Sequence, residues 1–177
     1  MSDHVFDQEM LTARLSLRRP TQEDVGAIFA IHSDPQVCVH NPSDALVTPA
    51  EAAKLFERWN DHWNRFGFGY WVVRRRDSDR QLGFCGLKVM QFRERRVLNL
   101  FYRFDPATWG NGLASEAATA VVESATEQFP RCPLIARVRP ENIASQRVAV
   151  RAGLIRAEHL DGPGYDGFDW IFVSRWA

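Results

Sequence analysis

Residues 105–118 read DPATWGNGLASEAA, and two glycines, Gly110 and Gly112, stand one residue apart where an irregular segment gives way to a helical run. Glycine costs backbone entropy, so such a pair needs a reason. A helix N-terminus presents unpaired N–H groups and the positive end of a dipole, which together attract phosphate. Glycines just before it permit positive φ and keep a Cβ out of a ligand's way. A P-loop needs a Gly-Lys-Ser/Thr ending, which GNGLAS lacks. A dinucleotide fingerprint needs a third glycine where Ser115 stands, and usually follows the first strand of its domain. A third scheme fits the residues: a short loop of Trp109, Gly110, Asn111, Gly112, Leu113 and Ala114 whose successive amides hold a pyrophosphate. On this stretch alone, a helix-entrance turn that binds nothing fits equally well.

A second group follows. In PENIASQRVAVRAGL, directly after a strand-like run, Asn142, Ser145, Val148 and Gly153-Leu154 recur at helical intervals. Asn142 reads as the cap of that helix or as a ligand-facing amide, and Ser145 lies one turn beyond it. Other chemistries find no support. His32, His40 and His62 have no second ligand at metal spacing, and Cys38, Cys85 and Cys132 are too scattered for a metal site or a disulfide framework. No metal is expected, the thiols read as free in a reducing cytoplasm, and no cysteine is placed to act as a nucleophile.

These groups need a scaffold, and 177 residues suffice for one domain with a sizeable core, read as spanning 1–177. Lys plus Arg and Asp plus Glu both total 22, so the charge suggests neither nucleic acid nor a membrane surface. The opening MSDHVFDQEM is acidic and polar, unlike a secretory signal, and no apolar run approaches a membrane span. RLSLRR alternates as a half-buried strand, with Leu15 and Leu17 on one face. TQED then starts a helix carrying Val25, Ile28 and Phe29. TPAE is a stronger start, with Thr48 as N-cap, Pro49 at N1 and Glu51 closing a capping box, before Leu55, Phe56, Trp59 and Trp63 at helical spacing. YWVVRRR and LGFCGLKVM form a hairpin, VLNLFYRF is a further strand stopped at Asp105-Pro106, and LIARV is another. After the glycines, Ala114, Ala117, Ala118, Val121, Val122, Ala125 and Phe129 share one helix face, ended by Pro130. Strand-like segments near IRAEHL and DWIFVSRW close the chain, and the arginines at 74–76 and 93–96 read as solvated hairpin faces. The order predicts an α/β (α+β) fold with one mainly antiparallel sheet.

TWGNGLASEA, PENIASQRVAVRAGL and MLTARLSLRR, in this order over about residues 10–177, resemble the GNAT superfamily of acetyl-CoA-dependent N-acetyltransferases, and within it the ribosomal-protein alanine N-acetyltransferase branch. The resemblance implies a twisted, mostly antiparallel mixed sheet splayed near Asp105-Pro106 at the acyl-CoA site, with helices on both faces. It also implies that the loop Trp109, Gly110, Asn111, Gly112, Leu113, Ala114 cradles the coenzyme A pyrophosphate through its backbone amides. Tyr102, Arg103 and Phe104 would face the pantetheine arm and thioester, and a bulge in that strand would aim an oxyanion donor. Asn142 would bind pantetheine or face the acceptor, and Ser145 would protonate the departing thiolate.

Two positions depart from the family. A tyrosine common seven residues after the Asn is Ala149 here, and a glutamate common on the strand before the loop is Asn99. The implied reaction is acetyl transfer from acetyl-CoA to a primary amine, on a protein N-terminus or a small molecule, by direct attack. The alternative is an acyl-CoA-binding sensor or scaffold without turnover, which the two departures favour. The acceptor is not legible, and both a monomer and a homodimer fit.

Overall fold

In the computed structural model, which describes residues 9–176, the local start signals act as read. The Thr48 hydroxyl accepts the Glu51 amide at 3.3 Å while the Glu51 carboxylate takes the Val47 amide at 2.7 Å, opening α2 (Pro49–Phe66). Gly67 ends it at φ 76°. The shorter α1 (Val25–His32) precedes it, after a 3₁₀ turn at Gln22–Asp24.

The strands are β1 (Glu9–Leu11), β2 (Leu15–Arg18), β3 (Tyr70–Arg75), β4 (Gln81–Phe92), β5 (Arg95–Phe104), β6 (Leu134–Val138), β7 (Ile155–Arg156), β8 (Gly162–Pro163) and β9 (Phe168–Val173). They form one sheet in the order β1-β2-β3-β4-β5-β6-β9-β7, with β8 paired to β9. Every pairing is antiparallel except that of β5 with β6. The two remaining helices are α3 (Leu113–Gln128) and α4 (Ile143–Arg151). The mixed fold and its single, mostly antiparallel sheet are as expected. β1 escaped the sequence reading, and the acidic start MSDHVFDQ lies outside the described residues.

Side-chain parity sorts the helices onto opposite faces of the sheet. Leu98, Leu100 and Phe104 of β5, with Leu134, Ala136 and Val138 of β6, pack with Leu113, Ala117 and Val121 of α3 and Ala149 of α4. Phe101, one residue out of phase, packs with Ile28 and Ile31 of α1 and Phe56 and Trp59 of α2. The arginine runs are more than solvated faces. Arg93 donates to the carbonyls of Leu160 and Asp161, Arg95 lies over Trp176, and Arg96 lies over Phe66.

One buried carboxylate ties three of these parts together. Asp24 accepts two bonds from the Arg18 guanidinium at 2.7 and 2.8 Å, one from the Thr21 amide at 2.7 Å and one from Gln81 at 3.2 Å. Burial opposes its ionisation, but these donors win and hold its pKa below the usual carboxylate range. A depressed carboxylate pKa gives stability that is present at neutral pH and lost as pH falls through the folded value. Asp24→Ala, which leaves Arg18 unpaired, is expected to cost about 3–5 kcal/mol in urea unfolding at pH 7. The cost should shrink in acid; a cost under ~1 kcal/mol at pH 7 contradicts the tie.

Candidate active site

The sheet opens where β5 meets β6. The two strands pair only at Leu98↔Leu134 and Asn99↔Ile135; β5 then runs on to Phe104 and β6 to Val138 without each other. The expected bulge in β5 is absent. Its register with β4 is unbroken from Gly83↔Phe104 to Phe92↔Arg95, and the register shift lies instead in β3, between Val73 and Arg74. A strand that loses its neighbour exposes backbone N–H and C=O groups along one edge. Here that edge borders a cleft of about 990 Å³.

On the α3–α4 face, the cleft meets the glycine loop. Gly110 and Gly112 have φ values of 84° and 73°, and a Cβ on either would meet no backbone. Backbone shape, not crowding, demands glycine here. Glu116 is the first residue of α3 whose amide is used by the helix, bonding the Gly112 carbonyl at 3.0 Å. The amides of residues 110–115 have no acceptor among the described residues. Asn111 and Trp109 brace the loop from within: Asn111 Nδ2 donates to the Thr108 carbonyl at 3.1 Å, and the Trp109 indole to the Phe104 carbonyl at 3.0 Å. From outside, Arg14 Nε donates to Glu116 at 2.7 Å and Arg14 Nη1 to the Asn111 carbonyl at 2.9 Å. Glu116 also receives the Thr12 hydroxyl and the Arg14 amide, which hold its pKa down despite partial burial. The β1–β2 hairpin thus clamps the loop, a role the sequence reading did not assign to it.

Tyr102 and Ser145 meet on this same face. The Tyr102 phenol lies 2.7 Å from the Ser145 carbonyl and 2.9 Å from Ser145 Oγ. A phenol has one proton, and a carbonyl can only accept. Tyr102 therefore donates to the carbonyl, and the serine hydroxyl donates to the phenol oxygen. Burial keeps the phenol's pKa raised and the ring neutral. Asn142 caps α4, its Oδ1 taking the Ser145 amide at 3.1 Å, so only its Nδ2 is left for a ligand. Phe104 is core on this side.

Arg103 departs from expectation. Its side chain falls on the opposite face, pairs with Asp44 at 2.9 Å and lies over Phe101, so only its backbone can approach a ligand on the Tyr102 side. The α1–α2 face of the cleft also carries Tyr70, stacked on Phe101 at 4.3 Å, and Trp59, edge-on to Tyr70 at 5.2 Å. Arg137 Nε donates to Asn99 Oδ1 at 3.1 Å. Asp169, which the sequence reading did not single out, is buried beside them. His32 and His62 are satisfied by the fold, and no group of three metal-ligating side chains occurs among the described residues. His62 donates to the Phe68 carbonyl and accepts the Val89 amide, joining α2 to β4. His32 Nδ1 lies 2.8 Å from the Ile28 carbonyl, and burial lowers its pKa to about 4.

A family model described as "Acetyltransferase (GNAT) domain" matches residues 14–155. The chain is 30% identical over 145 residues to the N-acetyltransferase YnaD of Bacillus subtilis (strain 168), covering 82% of this chain and 81% of that protein. It is similar in fold to the acetyltransferase from Agrobacterium tumefaciens str. C58, with TM-score 0.80, 22% identity, and 97% and 96% of the two chains covered. It is also similar to the ribosomal L7/L12 alpha-N-protein acetyltransferase RimL, solved with coenzyme A, with TM-score 0.71, 15% identity, and 93% and 95% covered.

His32 carries a consequence for stability. Its folded pKa lies below the unfolded value, so between about 6.5 and 4 the unfolded chain holds a proton the native chain refuses. Stability should fall as pH drops through that window, by about 3 kcal/mol at most. Urea unfolding of wild type and His32→Phe at pH 7.5 and 4.5 checks this, with the smaller acid loss expected in the variant.

Proposed function

Since the chain belongs to the GNAT family of acetyltransferases, we propose that it moves an acetyl group from acetyl-CoA to a primary amine by direct attack. The observation that carries the reading is the coincidence, on one face of the opened sheet, of the unused amides of residues 110–115 with the Tyr102–Ser145 pair. Several amides converging at a helix N-terminus suit a pyrophosphate. The unpaired edge of β5 suits a pantetheine arm, which carries amides of its own and can take the place of a strand.

When bound, acetyl-CoA supplies the activated acyl group; the chain's residues do the rest. Gly110, Gly112, Leu113 and Ala114 hold the pyrophosphate through their backbone, with Trp109 and Asn111 fixing the loop. Asn142 Nδ2 and the β5 edge at Tyr102, Arg103 and Phe104 hold the pantetheine arm. An N–H on that edge polarises the thioester carbonyl and stabilises the oxyanion. Ser145 Oγ turns its hydroxyl from the Tyr102 oxygen to sulfur, gives its proton as the C–S bond breaks, and regains one from the attacking nitrogen after the C–N bond has formed. Tyr102 holds that hydroxyl at rest and stays neutral throughout. No cysteine takes part: burial pushes the Cys85 thiol well up, and Cys38 and Cys132 are raised in the same way. Much of the rate then comes from positioning and a preformed donor rather than from a dedicated acid and base. Likeness to acetyltransferases of ribosomal protein N-termini supports an α-amino acceptor, whose pKa is low for an amine.

Calorimetry with coenzyme A and with NAD tests the ligand, and thiol release over an amine panel tests turnover. Binding of NAD but not coenzyme A overturns the reading; coenzyme A binding without thiol release from any amine favours the sensor alternative. Gly112→Val is expected to weaken coenzyme A binding at least about 100-fold, or ~2.7 kcal/mol. Its strained φ should cost the fold less, about 1–2 kcal/mol, because the loop is exposed. Equal losses would leave the glycines as a plain turn. Tyr102→Phe and Ser145→Ala should each lower kcat about tenfold or more with coenzyme A affinity retained, and the double variant should lose little further.

A further inference from the structure

The α1–α2 mouth of the cleft holds two opposite charges that the fold satisfies only in part: Asp169 has a long ion pair with Arg139, and Arg137 is held by Asn99 and lies over the Tyr165 ring. Asp169 on β9 is 9% exposed and lines the cleft, yet no donor among the described residues comes within hydrogen-bond distance of its carboxylate. Its nearest cation, Arg139 Nη1, stands 3.9 Å away and is spent on the Phe168 carbonyl at 2.8 Å. Gly164 packs directly on the carboxylate, where any Cβ would collide with it. The turn between β8 and β9 therefore closes one side of Asp169, and the cleft lies on the other. Burial raises the Asp169 pKa, Arg137 and Arg139 oppose the rise, and Asp166 adds to it.

Arg137 is the counterpart. Its Nε is held by Asn99 Oδ1 at 3.1 Å, while its two terminal nitrogens meet no acceptor and no carboxylate among the described residues. The other cleft carboxylates are engaged. Asp44 pairs with Arg103 at 2.9 Å, and Asp166 takes the amide and hydroxyl of Ser43 at 2.9 and 2.7 Å. Arg137 and Asp169 thus share one cavity and feel each other's charge without pairing. A protein seldom leaves a buried carboxylate and a nearby guanidinium apart unless something else completes them.

We infer that the acceptor is of amino-acid type: an amine with a carboxylate a few bonds away, its ammonium received by Asp169 and its carboxylate by the free edge of Arg137. The inference rests on the acetyl-transfer reading and names its second substrate. Asp169 takes one proton from the ammonium and later returns it to solvent. The neutral nitrogen attacks the thioester carbon, the C–N bond forms, and the C–S bond breaks. The nitrogen's surplus proton replaces the one Ser145 gives to sulfur. Arg137 lies beside Asn99, and with Arg103 and Arg139 it makes this mouth a poor host for a polycation. A guanidinium edge instead matches a carboxylate in shape and charge.

The test is a matched series: amino acids, their α-amides, their decarboxylated amines, and spermidine, read by thiol release. Calorimetry of the same compounds on protein saturated with coenzyme A gives a second readout. Wild type should favour the amino acids at least about tenfold in kcat/KM and in affinity. Arg137→Gln should abolish that preference while still folding, as judged by its thermal transition. Asp169→Asn should lower kcat for every amine and flatten the acid limb of the pH profile, and Asp169→Glu should restore part of both. Equal use of the decarboxylated amines by wild type, or a preference that survives in Arg137→Gln, overturns the inference and leaves acetyl transfer standing. A wild type that binds coenzyme A yet releases no thiol with any amine defeats both.

Discussion

The structure turns on two residue pairs. Among the described residues, β5 and β6 are the one parallel pair in the sheet, and they hold register only at Leu98↔Leu134 and Asn99↔Ile135 before parting. A parallel pair needs a crossover between its strands, here α3, and the crossover begins at the glycine loop. One event therefore supplies an opened sheet, an unpaired strand edge and a helix N-terminus, all at the same end. Because side chains alternate along β5, the opening has two unlike mouths: Leu100, Tyr102 and Phe104 face α3 and α4, while Phe101 and Arg103 face α1 and α2. The gap can thus be entered from either face without crossing the core.

An opening of this kind exposes polar backbone and invites collapse, so it must be held by interactions outside it. Those holding it are polar and long-range. Arg14, Thr12 and Glu116 fasten the β1–β2 turn to the first turn of α3 across about a hundred residues of sequence. The carboxylate also sits at a helix N-terminus, where the dipole favours negative charge. Asp24 fixes β2 and β4 to the start of α1, and His62 fixes α2 to β4. Each uses a group whose ionisation or tautomer is set by its partners, so the frame is specified more tightly than apolar packing alone would require.

Much of this was legible in the residues. α2, α4 and β6 are encoded by caps, periodicity and breakers within a few positions, and the structure follows them. The loop Trp109–Ala114 and its helix could be read because positive φ and helix entry are local properties of glycine. The charges that meet across the cleft were not legible. Arg137 and Asp169 lie in strands whose alternation speaks of burial, and only the pairing of β6 with β9 brings them together. Arg103 was misplaced because three successive residues of one strand cannot face one ligand. The bulge was misplaced because a strand edge can be freed by a departing neighbour as well as by an extra residue.

The two departures from the family pattern become consistent once the geometry is known. Ala149 is fully buried against α3, so the turn of α4 where a tyrosine is common serves packing here. A phenol reaches the same helix from the other direction, from Tyr102 on β5, and arrives one turn earlier, at Ser145. Asn99 likewise gives up a negative charge and uses its amide oxygen to orient Arg137. A glutamate at that point would pair with Arg137 and close the guanidinium to any ligand, so the neutral side chain keeps the cation available. A carboxylate and a phenol are thus present on other elements, Asp169 on β9 and Tyr102 on β5, rather than at the two departing positions. Such a placement cannot be read along the chain, because it depends on which strands and helices meet in space.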